Sequence, residues 1–505
     1  MLRGPGHARG WSCARGRKRQ RGQALLYGLF VLIGGLASLF FLFNTGQLAR
    51  EKTKLVNTSD AVAFSAGVLQ ARALNFDAYN NRALVANEVL VAQMVSLSSW
   101  AQYASTHAQY LLSVHPECAD PNGYGAAAGA TFKYGPLYAA MCYVTVQYAS
   151  SYIQEISDVV PTITQAIVLA VELNKTAIKG AQALLHAPSY LEKVRGDLMQ
   201  EVANANYADD GQVTVEPLSA LSPSSMTMND GWKDFTKQYT GNERDRFKAL
   251  ATNAANADEF TRQRSWTARA LLPTPDCLPA LRTEWNEVRR RGGTELIGFD
   301  EWKAEDTESY HGWWLRRSFF GFLSCRKRES PIAYGEQQAH PSNADQYDGG
   351  AYLGGSPSNN PGAHGRASSN HWTNYTGLPS YYDLNPKWLS GADRNADPSM
   401  KFGVRVTREK AQLRTSDGST GQIKSASSAR INAYQTNVAG GEMAAVSTTE
   451  VFFERPYDQR DNAYGSPRGY PRELGSLFNP YWQVRLVYSS TDVATQQARQ
   501  GAVTP

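Results

Sequence analysis

Ala24 to Phe43 is an unbroken run of 20 residues without a charged side chain. As an α-helix rising ~1.5 Å per residue it is about 30 Å long, the thickness of a bilayer's hydrocarbon core. A cleaved secretory signal has a shorter apolar stretch that ends in a small-x-small site. Here the run continues into LFFLFNTGQLAREK, which has no such site. The segment is therefore expected to remain as a transmembrane helix over 24–44, and the rest of the chain must fold on one side of it.

Charge fixes which side. Residues 1–23 carry seven of the 51 basic side chains (Arg3, Arg9, Arg15, Arg17, Lys18, Arg19, Arg21) and no acid. The other 44 face 46 acidic groups, so the folded part is close to neutral. A nucleic-acid protein would spread basic charge over a folded face; here the excess is a tail beside a span, and no nucleic-acid partner is expected. Basic residues before the span place the tail in the cytoplasm and the bulk outside. RGRKRQRG has no adjacent Arg-Arg pair, which argues against twin-arginine export. Of five cysteines, Cys13 precedes the span, and Cys118, Cys142, Cys277 and Cys325 follow it, an even number in an oxidising compartment. They allow three pairings, the sequence-local one being Cys118–Cys142 with Cys277–Cys325. No CxxC or HxxxH spacing favours zinc instead.

From Gln47 to Val114 there is no proline and one glycine, Gly67. Leu48, Leu55, Val62, Leu69, Phe76, Ala83, Leu90, Leu97, Ala104 and Leu111 fall every seventh residue. That period predicts a long helix that supercoils against a partner, which leaves a homo-oligomer through this segment open. The Asn80-Asn81 pair is where it could fold back, and Asn80 and Asn87 are polar positions that could set register. A second helical stretch runs from about 137 to 206, with an apolar stripe at Ile153, Ile156, Val160, Ile163, Ile167 and Ala170 and a kink expected at Pro161. Together, 45–210 read as a stalk of antiparallel helices.

Beyond 211 the pattern changes. Shorter helical signals occupy 229–292, including ERDRFKALATNAANADEFTRQRSWTARALL and LPALRTEWNEVRRR. Strand alternation follows in KFGVRVTREKAQLRT (Phe402, Val404, Val406) and YWQVRLVYS (Trp482, Val484, Leu486), with β-rich TELIGFDEW and STTEVFFERP. Residues 337–370, rich in Gly, Ser, Asn and Pro, read as a flexible insertion. The expected fold class is α+β: one transmembrane helix, a helical stalk, and a mixed domain over 211–505 with a mostly antiparallel sheet.

Catalytic patterns are absent from the sequence. There is no GxSxG, GxxxxGK[ST], HExxH or paired CxxC. Histidines 7, 107, 115, 186, 311, 340, 364 and 371 are scattered, and His311 in SYHGWW reads as packed or capping. DGST at 417–420 lacks the DxSxS pattern of a metal-ion adhesion loop and reads as a turn. Asp300, Glu301, Glu305 and Asp306 could be paired carboxylates or a solvated strand edge. The aromatic groups Tyr310, Trp313, Trp314, Phe319, Phe320 and Phe478, Tyr481, Trp482 read first as packing. Neither an enzyme nor a cofactor or metal is expected.

One resemblance adds to this. Arg21, Gly22 and Gln23 open the apolar helix; Lys52, Lys54, Leu55, Asn57, Asp60, Ala61 and Ala63 follow it in the pattern K-x-K-L-x-N-x-x-D-A-x-A; Asn81 and Arg82 come after. Over residues 20–100 the chain resembles the N-terminal region of TadE/TadG-like Flp (tight-adherence) pilus assembly proteins, and GTELIGFDEWKAEDT and ELGSLFNPYWQVRLV resemble stretches of longer TadG-related proteins. The resemblance implies a bacterial inner-membrane protein whose periplasmic part acts with pilins or other pilus-assembly membrane proteins. Two departures limit it. Pilin-type cleavage after Gly22 would put Tyr27, not Glu, at the fifth mature position, so residues 1–22 are expected to stay. The von Willebrand-type ligand pattern of longer relatives is missing, and no metal is carried over. The expectation is a non-enzymatic, bilayer-anchored assembly component with Gly34, Gly35, Ala37 and Ser38 available for close packing in the membrane. A surface adhesive or carbohydrate-binding protein, and more distantly a periplasmic hydrolase, are the alternatives.

Overall fold

A computed structural model describes residues 23–114, 152–187, 190–218, 232–269, 287–317, 323–342, 359–367, 369–389, 398–409, 412–413, 442–454 and 475–499. Arg21, Gly22, Cys118, Cys142, Cys277, the side chain of Cys325 and residues 417–420 lie outside that description.

The chain opens on α1 (Gln23–Val114), a single helix of 92 residues, about 138 Å long at ~1.5 Å per residue. It is continuous through Asn80-Asn81. No proline interrupts it, and both asparagines lie in a stretch that packs on two sides. Helices α2 (Tyr152–Leu185) and α3 (Tyr190–Asn206) return alongside it. Their pairings run antiparallel: Lys175 meets Glu88, Gln182 meets Asn81, His186 meets Asp77 and Asp210 meets Lys54. The break falls between Leu185 and Tyr190, where the sequence has Pro188; Pro161 sits inside α2 without ending it.

Thereafter come β1 (Thr214–Leu218), α4 (Trp232–Phe235), β2 (Thr236–Tyr239), α5 (Asp245–Ala257), β3 (Trp266–Arg269), β4 (Glu287–Ile297), β5 (Glu301–Arg317) and β6 (Leu323–Ala339). They are followed by α6 (Pro361–His364), β7 (Ser369–Trp372), β8 (Tyr381–Leu384), α7 (Pro386–Leu389), β9 (Ser399–Glu409), β10 (Glu442–Phe453), β11 (Trp482–Val487) and α8 (Ser490–Arg499). The strands form a four-stranded sheet β1-β9-β10-β11, a five-stranded sheet β3-β4-β5-β6-β7 and a β2-β8 ribbon. All pairings are antiparallel except β6 with β7. The architecture is mixed α+β with an antiparallel-rich C-terminal half. WTAR and EVRRR, both expected to be helical, are strand β3 and the start of strand β4, because the two pair with each other and β5 pairs with the other edge of β4.

The division into a stalk and a following domain takes another form. Both sheets lie along α1, and the core is strung out on it in successive clusters. Leu55, Val62 and Ala66 pack with Met199, Ala203, Phe402, Val404 and Val406. Leu74 packs with Leu384, Val451, Phe453 and Trp482. Leu84, Val91 and Val95 pack with Val168, Phe247, Trp302 and Tyr381. Each such large apolar side chain contributes roughly 1.5–3 kcal/mol on burial. Gly67 marks one close approach: a Cβ there would overlap Val484 and Thr449.

The seven-residue period is not the buried seam. Phe76 is 43% exposed, whereas Leu55, Ala66, Asp77, Glu88 and Ser99, eleven residues apart, are all at 0%. Three turns in eleven residues keep one face of an almost straight helix inward, without the left-handed winding a heptad imposes. The expected stripe of α2 is only in part its contact face: Ile167 packs against the core, but Ile156 and Ile163 are 45% and 54% exposed, while Thr164, Val168, Glu172, Lys175 and Gln182 are buried.

Candidate functional site

Among the described residues, none covers the apolar part of α1. Leu25, Phe30, Leu36, Leu39 and Leu42 are all more than half exposed, and a Cβ on Gly34 or Gly35 would meet nothing within 4 Å. Ser38 donates to the carbonyl of Gly34 at 2.8 Å and Thr45 to that of Phe41 at 2.9 Å, so these hydroxyls are satisfied within the helix. That matters in hydrocarbon, where no water can serve them. Ala37 lies on the same segment. Ala24–Tyr110 is long and apolar enough to cross a membrane, with its most apolar window wholly unburied.

Eight residues past Phe43 the same helix is enclosed. Glu51 pairs with Arg408 at 2.6 Å, both buried; Lys52 donates to the carbonyl of Ala444, and burial holds its ammonium below the usual range. Lys54 pairs with Asp210 and lies over the Tyr207 ring. Asp60 accepts from Ser447, whose hydroxyl also meets Ser59 at 2.6 Å. Asn57 is exposed and Ala61 half-buried. Farther along, Asn75 holds both backbone groups of Trp482, at 3.0 Å each. Asn81 donates to the carbonyls of Tyr382 and Leu477 at 2.7 and 2.6 Å. Arg82 donates to the carbonyl of Phe478 at 2.6 Å and to Asn479 at 3.1 Å. The motif on α1 and the C-terminal LFNPYW stretch, far apart in sequence, are therefore two halves of one grip.

Behind Asn81 lies a cleft of about 180 Å³ lined by His186, Leu191, Glu192, Trp232, Thr236 and Tyr382. His186 stacks on Tyr382 with ring centres 3.7 Å apart and meets Asp77 through Nε2 at 2.7 Å. Burial raises the Asp77 carboxyl above its ordinary value, and hydrogen bonds from His186 and Gln182 oppose that rise. About three turns on, Glu88 accepts from Trp302 at 3.0 Å and Tyr375 at 2.6 Å, and pairs with Lys175 at 2.8 Å. These buried polar groups tie α1 to α2 and to the five-stranded sheet.

The acidic stretch of β5 is split by strand alternation. Asp306 faces α1, paired with Arg264 at 2.8 Å and accepting from Ser99 at 3.0 Å. Asp300 lies in the preceding turn, 3.3 Å from Arg244. Glu305 faces the other way, toward residues of the segment read as a flexible insertion. Its described parts are ordered: Gln337 and Asn360 are fully buried. Asn360 accepts from His311 Nε2 through Oδ1 at 2.9 Å and donates through Nδ2 to the carbonyl of Arg289 at 3.0 Å. His364 meets Glu305 at 2.8 Å, and His340 meets His371 at 2.9 Å. Glu305, Glu336 and His364 hold their donor atoms within 4.8 Å of one another, a set that could bind a metal ion. Periodicity could not find this grouping, since its members come from three elements joined only by the fold.

The exposed helix and the buried motif on α1 are thus one continuous element, and the polar cluster stands on the outer face of the five-stranded sheet. No family model, curated protein or solved structure matches this chain.

Proposed function

We propose that this chain is a single-pass, membrane-anchored envelope protein that serves, without catalysis, as an assembly component of Flp/Tad-type pili. Its bulk lies on the periplasmic side of a bacterial inner membrane and presents the two-sheet body to pilins or to the secretion machinery. The observation that carries the anchoring is the change of environment along α1: apolar and exposed over Ala24–Phe43, enclosed from Glu51 onward. Because no hinge separates the two parts, displacement or rotation of the helix in the membrane is passed directly to the body. The basic tail before the span sets the orientation. The pilus pathway rests on the resemblance at Lys52–Ala63 and Asn81-Arg82.

Helix α2 also has the length and apolarity of a span. Two facts favour placing it in the body. It carries Lys175, whose buried ammonium meets Glu88 of α1 and Glu172 of its own helix, each at 2.8 Å. It also runs beside the part of α1 on which the sheets rest, so it could enter a bilayer only by taking them along.

The test separates anchoring from partnership. Gly34→Leu and Gly35→Leu should leave the chain in the membrane fraction and reduce co-purification of pilus components, because small residues permit close helix approach. Undiminished co-purification would remove support for the assembly role; recovery of wild-type chain in the soluble fraction would remove the anchor itself.

A further inference from the structure

Glu305 on β5 and Glu336 on β6 stand directly opposite each other in the ladder. Both are buried, at 0% and 5% exposure. Like charges opposite one another on neighbouring strands repel, and burial removes the water that would weaken the repulsion. Two basic groups meet them. Lys303 Nζ lies 2.9 Å from Oε1 of Glu336, the same oxygen that accepts from Gln338 at 2.7 Å. His364, on α6, places Nδ1 2.8 Å from Oε1 of Glu305. Lysine brings a fixed charge; imidazole balances the second carboxylate only when it holds an extra proton. The Glu305 carboxylate favours that proton and lifts His364 above the usual imidazole range.

A metal ion can take the place of that proton. Three donor atoms bound tetrahedrally at ~2.0–2.2 Å to one ion lie about 3.4 Å apart. The three present donors lie within 4.8 Å, so side-chain closure by about an ångström or less completes the site. Two donors are fixed by adjacent, hydrogen-bonded strands, and the third arrives on a short helix whose side chain is one-third exposed, which gives an ion a path in. One imidazole with two carboxylates suits a divalent first-row transition ion, whereas calcium and magnesium take oxygen donors. We infer that Glu305, Glu336 and His364 form a binding site for such an ion, zinc being the first candidate. Lys303 stays on Oε1 of Glu336 and offsets part of the carboxylate charge. Binding would clasp the Asn360–His364 segment to β5 and β6, and this inference stands apart from the membrane role.

The experiment uses the full-length chain in detergent, without a histidine tag, stripped by a chelator and titrated with zinc chloride by calorimetry. One ion per chain is expected. Glu305→Gln and His364→Ala should each weaken it by roughly 100-fold, with circular dichroism unchanged; the partly exposed His364 is the variant least able to disturb folding. Zinc should bind more weakly at pH 6 than at pH 8, because His364 must release its proton. Cobalt(II) in place of zinc should show d–d bands without thiolate charge-transfer absorption. Three outcomes overturn the inference: no stoichiometric zinc, zinc affinity equal in wild type and His364→Ala, or thiolate absorption that assigns the ion to cysteines. Tighter binding of magnesium than of zinc would overturn the class of ion.

Discussion

Asp77 of α1 and His186, just past the end of α2, meet at 2.7 Å through Oδ2 and Nε2, with side chains 0% and 7% exposed. The contact fixes the point where the helix pair turns from the five-stranded to the four-stranded sheet. Removing His186 leaves the buried Asp77 carboxyl without one of its hydrogen bonds and removes the ring stacked on Tyr382. His186→Ala is expected to lower unfolding stability by about 1–3 kcal/mol, read from the denaturant midpoint of the solubilised chain.

Burial raises the carboxyls of both Asp77 and Asp383. A raised folded value means the native state holds more protons than the unfolded chain above the ordinary aspartate range. The native state is therefore favoured at low pH and loses that advantage as pH rises from near 4. Asp77→Asn removes the titration and keeps the shape. Its melting temperature relative to wild type should climb between pH 4 and pH 7; a difference that is flat with pH would contradict this.

Arg408 is buried at the end of the body nearest the apolar run, bonded to Glu51 at 2.6 Å, to Asp210 and set against Tyr207. Glu51→Ala should cost about 3 kcal/mol, because the buried guanidinium keeps only its contacts to Asp210. Replacing both residues by methionine should recover most of that loss, since a packed apolar pair needs no charge compensation. A double variant as unstable as the single one would show that the charge pair itself holds α1 against β9.

Gly67 faces β10 and β11 where a Cβ would overlap Thr449 and Val484. Gly67→Val should force the sheet off the helix and lower stability by about 1–3 kcal/mol. Urea unfolding measures this, and the alanine variant should fall between valine and wild type.

Charge in the apolar run is costly in a bilayer. Leu32→Arg combined with Leu36→Arg should disfavour insertion by roughly 2.5–3.5 kcal/mol for each substitution near the helix centre. Carbonate extraction should then release the chain, with the body still folded by circular dichroism.

What could be read from the sequence alone is what short-range pattern encodes. A charge-free run of bilayer length, a basic tail, a helix without proline and the alternation of Phe402, Val404 and Val406 each state their own local structure. Tertiary structure decided which face of the long helix is inside. Apolar residues at seven-residue spacing suggested a supercoil, yet Phe76 is exposed while Asp77, Glu88 and Ser99 are fully buried, because partners at α2 and on the five-stranded sheet satisfy them. Hydropathy scores such residues as outward, and no local rule supplies partners so far away along the chain. The same holds for Glu305, Glu336 and His364. Strand pairing joins the first two and the return of the chain after residue 358 delivers the third, so only long-range contact could bring them together.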